Sequence, residues 1–216
     1  MKAKVNVPSD LSEITLHQYQ EFLKAKEEND DTYFLQCKLI EIFCYVNEQI
    51  VRKMKLTDAE KIGNIINEMF DKKTPLIKRF NLNGIEYGFV SDLHSISFGE
   101  YIDLDTNIAD WQNMHLAMNV LFRPIKQKLG HKYLIEDYNL ENKDKLLEMP
   151  LAAVMGLIFF FFHLGMDLSK AMTNSLLKEE KEALTAYLTS QGNGGGINQF
   201  MHSLKETLQD MKISLN

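Results

Sequence analysis

A helix starts only where its first N–H groups find acceptors, and this chain spells out that requirement twice in nearly the same letters. Residues 10–19 read Asp-Leu-Ser-Glu-Ile-Thr-Leu-His-Gln-Tyr, and residues 92–101 read Asp-Leu-His-Ser-Ile-Ser-Phe-Gly-Glu-Tyr. Asp10/Asp92, Leu11/Leu93, Ile14/Ile96 and Tyr19/Tyr101 are identical. Thr15/Ser97, Leu16/Phe98 and Gln18/Glu100 keep their chemistry. Thr15 and Ser97 are hydroxyl N-caps, and Gln18 and Glu100 stand three residues on, where each reaches back to the cap's own N–H in a capping box. Ile14 with Tyr19, and Ile96 with Tyr101, are spaced as hydrophobic staples. Thr57-Asp-Ala-Glu60 reads as a third box without those flanks. The echo is either two ordinary caps or the trace of a duplication with halves near 10–75 and 92–190.

Around these starts, apolar spacing predicts a mainly α chain. Helices are expected over 16–26, 32–45 and 49–54, and from the Thr57 cap onward. That last one carries Ile62, Ile65, Ile66, Met69 and Phe70, the cleanest amphipathic stripe present. Pro75 closes this region. Residues 76–80 and 85–90 are strand-like around Asn83-Gly84, a two-residue hairpin turn, so a small β-hairpin insertion is expected over 76–90. Helices follow over 98–105 and 111–122, the latter stopping near Pro124 because the residue before proline avoids the α region. Residues 132–138 suit a short strand beside the hairpin, and 139–148 are polar and partly helical. Pro150 opens a very apolar helix that runs to about 168, and 169–189 suit one or two more helices. Residues 151–166 are uncharged. They fall short of the ~20 residues a membrane helix needs, so a core helix is expected, with His163 inside it as a hydrogen-bonded core or interface histidine.

The helical domain is thus 1–190. Residues 191–196, Gln-Gly-Asn-Gly-Gly-Gly, form a linker, and 197–216 form a tethered C-terminal helix. Its Phe200, Leu204, Leu208 and Met211 fall at helical spacing. Such a tethered stripe is a partner-binding element unless it folds back on its own domain.

Charge and motifs narrow the function. With 24 Lys and Arg against 30 Asp and Glu, net −6, the chain is poorly suited to neutralising nucleic-acid phosphates. Cys37 and Cys44 lie about two helical turns, roughly 10 Å, apart, too far for a disulfide, and read as buried thiols of a reducing compartment. No secretory leader is expected, because the first residues lack an apolar core. Asp103-Leu-Asp-Thr-Asn107 imitates the opening of a calcium loop, but Ile108 and Met114 stand where glycine and glutamate belong. His17, His94, His115, His131, His163 and His202 show no metal-ligand spacing. Gly192 to Gly196 lack the Lys-Ser/Thr of a P-loop, and no Gly-x-Ser-x-Gly elbow occurs. No cofactor or metal is therefore expected. The densest basic run, Arg123-Pro-Ile-Lys-Gln-Lys128 with Lys132, reads as a solvated loop or an acidic partner's contact. Residues 27–31, Glu-Glu-Asn-Asp-Asp, read as a solvated acidic turn.

Two stretches resemble tailed-bacteriophage morphogenesis proteins. Ile42-Phe-Cys with Val51-Arg-Lys-Met-Lys-Leu-Thr-Asp58 is similar to the pattern of apolar helix, short helix and Leu-Thr-Asp helix start in tail assembly chaperones. Met118-Asn-Val-Leu-Phe-Arg-Pro124, Lys132-Tyr-Leu-Ile-Glu-Asp-Tyr138 and the Phe159 to Phe162 run resemble proteins encoded among virion genes. The resemblance implies a non-enzymatic assembly role through protein–protein binding. The partners would be tail, tape-measure or connector proteins, or other copies of this chain, in the host cytoplasm or the virion. The alternatives are a structural virion component, such as a neck or head–tail connector ring, and an enzyme with an unrecognised site.

Overall fold

The computed structural model describes residues 4–175 except 91, 131 and 142, and over that span the chain is mainly α with one antiparallel sheet. The elements run α1 (Leu16–Glu28), α2 (Thr32–Cys44), α3 (Glu48–Val51), α4 (Leu56–Phe70), β1 (Arg79–Leu82), β2 (Ile85–Phe89), α5 (Phe98–Asn107), α6 (Met114–Leu121), β3 (Phe122–Leu129), β4 (Lys132–Ile135) and α7 (Leu151–Ser175). Short 3-10 turns at Leu11–Glu13, Leu93–Ser95, Trp111–Asn113 and Lys143–Glu148 join them.

Both copies of the repeated string take the same local shape. Each makes a 3-10 turn, one linking stretch, then a helix with a complete capping box. The Gln18 N–H donates to Thr15 Oγ1 at 3.1 Å and the Thr15 N–H to Gln18 Oε1 at 2.9 Å. The Glu100 N–H donates to Ser97 Oγ at 3.3 Å, and the Ser97 N–H donates back to the Glu100 carboxylate. The third box does not form. Helix α4 begins one residue before Thr57, so Lys55 is its N-cap and gives no side-chain bond. Asp31 instead caps α2, its carboxylate accepting from the Phe34 N–H at 2.8 Å, which gives the acidic turn a structural task.

The sheet is larger than a single hairpin. Asn83 and Gly84 both take positive φ, 52° and 82°, the geometry that joins β1 to β2. A second hairpin, β3–β4, then adds to β2, giving the order β1-β2-β3-β4. The helix expected over 111–122 is a 3-10 turn followed by α6, and the chain extends at Phe122. The basic run is therefore a strand rather than a loop. Pro124 is tolerated because β2 and β3 part there, and its carbonyl still accepts from the Glu136 N–H at 2.9 Å.

Leu16, Tyr19, Ile40, Phe43, Ile66, Met69, Phe80, Phe89, Met118, Leu121 and Phe122 build one core around the start of α7. That start is tied to α1: the Leu16 N–H donates to the Met149 carbonyl at 3.0 Å and the Leu151 N–H to the Ile14 carbonyl at 2.8 Å. Leu151 to Ile158 are buried, but the apolar run is core only in this first half. Phe160, His163, Leu164 and Met166 are exposed.

Candidate functional site

The two repeated helix starts have the same local geometry and opposite surroundings. In α1, Leu16, Tyr19 and Gln20 are 0, 1 and 4 % exposed. The Tyr19 ring lies 4.9 Å from Trp111 and 5.7 Å from Phe70. The Gln20 amide donates to the Trp111 carbonyl at 2.7 Å, and Gln112 returns a bond to the Gln20 carbonyl at 3.1 Å. In α5 the equivalent residues Phe98, Tyr101 and Ile102 are 79, 43 and 45 % exposed. Spaced i, i+3 and i+4, they form one apolar stripe facing water. The second staple accordingly leaves Tyr101 open to solvent, whereas the first has both Ile14 and Tyr19 buried.

A polar cluster clamps the other side of α5. The Arg123 guanidinium pairs with the Glu100 carboxylate and lies 5.5 Å from the centre of the Tyr138 ring. Arg123 Nε donates to the Val120 carbonyl at 3.2 Å, and the Tyr138 hydroxyl donates to Asp103 Oδ2 at 2.7 Å. Burial alone would raise the Glu100 carboxyl, but the Ser97 hydrogen bonds and the Arg123 charge hold it below the usual carboxylate range. Burial, with the Asp103 hydrogen bond, pushes the Tyr138 hydroxyl up. Charges this well matched serve as a rigid mount for α5. Asp103 to Asn107, the calcium-loop imitation, are helical, and the Asn107 amide donates to the Asp103 carbonyl at 2.6 Å.

Two surface grooves accompany the stripe. One, of about 440 Å³, lies among α2, α3 and α4, with Tyr33, Cys37, Met54 and Leu56 in its lining. Two of its charged side chains are already engaged: Arg52 Nε donates to Glu48 Oε1 at 2.7 Å, and Asp31 caps α2. Burial pushes the Cys37 thiol up and the Cys44 thiol up to about 11, so both stay protonated at neutral pH. A smaller groove of about 230 Å³ lies between the Leu11–Glu13 turn and residues 72–77.

The sequence-predicted partner stripe, Phe200, Leu204, Leu208 and Met211, lies outside the described residues, as do the 191–196 linker and His202. His163 is exposed rather than inside the core. Among the histidines whose side chains are described, His115 lies deepest, with Nδ1 buried and Nε2 4.0 Å from Asp144. Its position on α6, between apolar Met114 and Leu116, carried no sign of that. Among the described residues, no group of three or more His, Cys, Asp or Glu is placed to hold a metal ion. No described helix is long and apolar enough to cross a membrane. Sequence reasoning placed Tyr101 in a staple with Ile96 and gave Phe98 and Ile102 no surface role; nothing in their own letters marks the stripe as uncovered. Comparison with protein-family models, curated proteins and solved structures gives no match.

Proposed function

We propose that this protein is a non-enzymatic bacteriophage assembly factor of the tail-assembly-chaperone type, working by protein–protein binding. The observation that carries the binding role is the uncovered Phe98–Tyr101–Ile102 stripe. It is the same helix start that the molecule buries completely in its other copy. Three large apolar side chains on a helix held rigid by the Glu100–Arg123 pair are suited to a complementary apolar segment of a client. The phage assignment rests on the motif resemblance. In this reading a tail or tape-measure protein docks on the α5 stripe. The tethered segment 197–215 adds a second grip, laying Phe200, Leu204, Leu208 and Met211 into a groove of the client.

Co-expression with the tape-measure and tail-tube proteins of the same phage tests this. The full chain is expected to copurify with one of them. The triple variant F98S/Y101S/I102S and a chain cut at Gly194 are each expected to lose at least about tenfold in affinity, as loss of central apolar anchors does. Undiminished capture by both altered chains overturns the reading. A permanent neck or connector role is the second reading, favoured by the arm that β3 and β4 form beyond the sheet. Mass spectrometry of purified particles separates the two, since an assembly chaperone leaves the finished virion and a ring subunit stays at fixed stoichiometry.

A further inference from the structure

We infer that copies of this chain join one another, the outer face of the β3–β4 arm of one copy receiving the acidic α1–α2 connection of the next. The inference stands apart from the phage reading and uses a different surface from the α5 stripe.

The arm is visible in the strand register. β2 pairs with β3 only from Phe122 to Pro124. From Ile125 onward β3 has β4 as its partner, and Lys126 is the extra residue of a bulge. The inner face of the arm is occupied. Tyr133 reaches back across Gly88, and its hydroxyl donates to the Phe89 carbonyl at 2.7 Å. Lys128 pairs with Glu86, and the Arg79 guanidinium lies 6.0 Å from the Tyr133 ring centre.

The outer face is open. Gln127 stands opposite Leu134 and Leu129 opposite Lys132, so these four side chains share a face, and all four are exposed. A two-stranded ribbon is marginal without cover, and β4, last in the sheet order, presents an unpaired backbone row. The face is thus apolar at Leu129 and Leu134 and cationic at its margins, with Lys126 and Lys132 in no ion pair among the described residues.

Charge identifies the occupant. This basic arm belongs to a chain of net −6, in which the last turn of α1 and the connection after it, Glu27 to Asp31, form an exposed acidic run. Asp31 is spent on capping α2, while Glu27, Glu28 and Asp30 make no ion pair among the described residues. Each copy therefore carries both halves of a complementary contact, which steers and registers association. Because the two patches differ, the contact runs head to tail, closing into a ring or a reciprocal dimer according to the rotation between copies.

Sedimentation velocity of the full chain over a concentration series tests this. Self-association is expected at an ionic strength of about 0.01 M, where charges reach ~30 Å, and at least a tenfold weakening near 1 M, where they reach ~3 Å. The variants K126E/K132E and E27K/E28K/D30K avoid Lys128 and Asp31, which have structural partners. Each alone is expected to be monomeric with an unchanged circular dichroism spectrum, and an equimolar mixture is expected to associate again. Carbodiimide cross-linking of mixed 14N and 15N wild-type chains gives an independent readout. It is expected to join Lys126 or Lys132 of one isotope to Glu27, Glu28 or Asp30 of the other. A wild-type monomer throughout, association untouched by either variant, or intermolecular cross-links confined to other residues would each overturn the inference.

Discussion

Gly156 sits where another backbone segment crosses α7. A Cβ built there would lie 2.2 Å from the Pro75 carbonyl oxygen and 3.0 Å from its carbon, so the segment before β1 rests directly on the helix. The helix loses propensity through this glycine and gains a close approach. Gly99, on α5, has nothing within 4 Å of the same position. The two glycines therefore respond oppositely to alanine. Gly156→Ala is expected to destabilise by about 1–3 kcal/mol, as overpacking does. Gly99→Ala is expected to stabilise by about 0.5–1 kcal/mol through helix propensity and a less flexible unfolded chain. Urea midpoints at constant m-value measure both. Gly156 reads in the sequence as an interruption of an apolar run, because its partner Pro75 is 81 residues away in the chain. Asn83 and Gly84 were legible, since a two-residue turn is specified by its own φ angles alone. Gly88 was not: its lack of a side chain matters only because the Tyr133 ring, two strands over, occupies that space.

At the scale of elements, the caps were readable wherever the signal was local. Thr15 and Ser97 bond within three residues, and both boxes form. Thr57 failed because the short chain between α3 and α4 lets the helix begin earlier, at Leu56. Residues 123–128 looked like a loop because strand pairing with β2 is non-local, and because a proline argues against a paired strand until the pairing is known to end there. What separates α1 from α5 is equally non-local: the same letters are covered in one place and open in the other. Stability measurements are expected to show the difference. Leu16→Ala should cost about 2–5 kcal/mol, as a buried truncation does, and Phe98→Ala should stay within about 0.5 kcal/mol. Comparable losses at both sites, read from thermal or urea unfolding, would mean that the α5 stripe is part of the core.

For the molecule as a whole, His115 and Glu100 tie stability to pH in the same direction on the acid side. Burial lowers the His115 pKa from its ordinary 6.5, only partly countered by Asp144 and by a backbone hydrogen bond with Gln112, with Lys143 and His17 acting in the same sense as burial. A folded-state value below the unfolded one means that the unfolded chain takes up the proton more readily, so stability is full above about pH 6.5 and falls as the solution is acidified. Glu100, lowered from 4.5 by its Ser97 and Arg123 contacts against its own burial, adds a second loss as pH drops below about 4.5. Unfolding free energy is expected to decline in two stages, and His115→Gln should flatten the first while leaving the second. An unchanged slope between pH 6.5 and 5 in that variant assigns the first stage to other groups. The mainly α class was accessible from hydrophobic period, which samples neighbours along the chain. The partly buried imidazole of His115 was not, because its surroundings come from α6, the Lys143–Glu148 turn and α1 together.

The pairing of Ile14 and Leu16 with Met149 and Leu151 has a consequence for biosynthesis. A ribosome delivers the first of these segments long before the second, so the opening helix leaves the exit tunnel with its closing partners still untranslated. Nascent chains stalled ahead of Met149 are expected to remain open to protease around Thr15, and chains stalled far enough past Ser175 to release that segment are expected to resist. Until then the growing polypeptide leaves the Leu16 N–H and the Ile14 carbonyl without the partners they take in the finished fold.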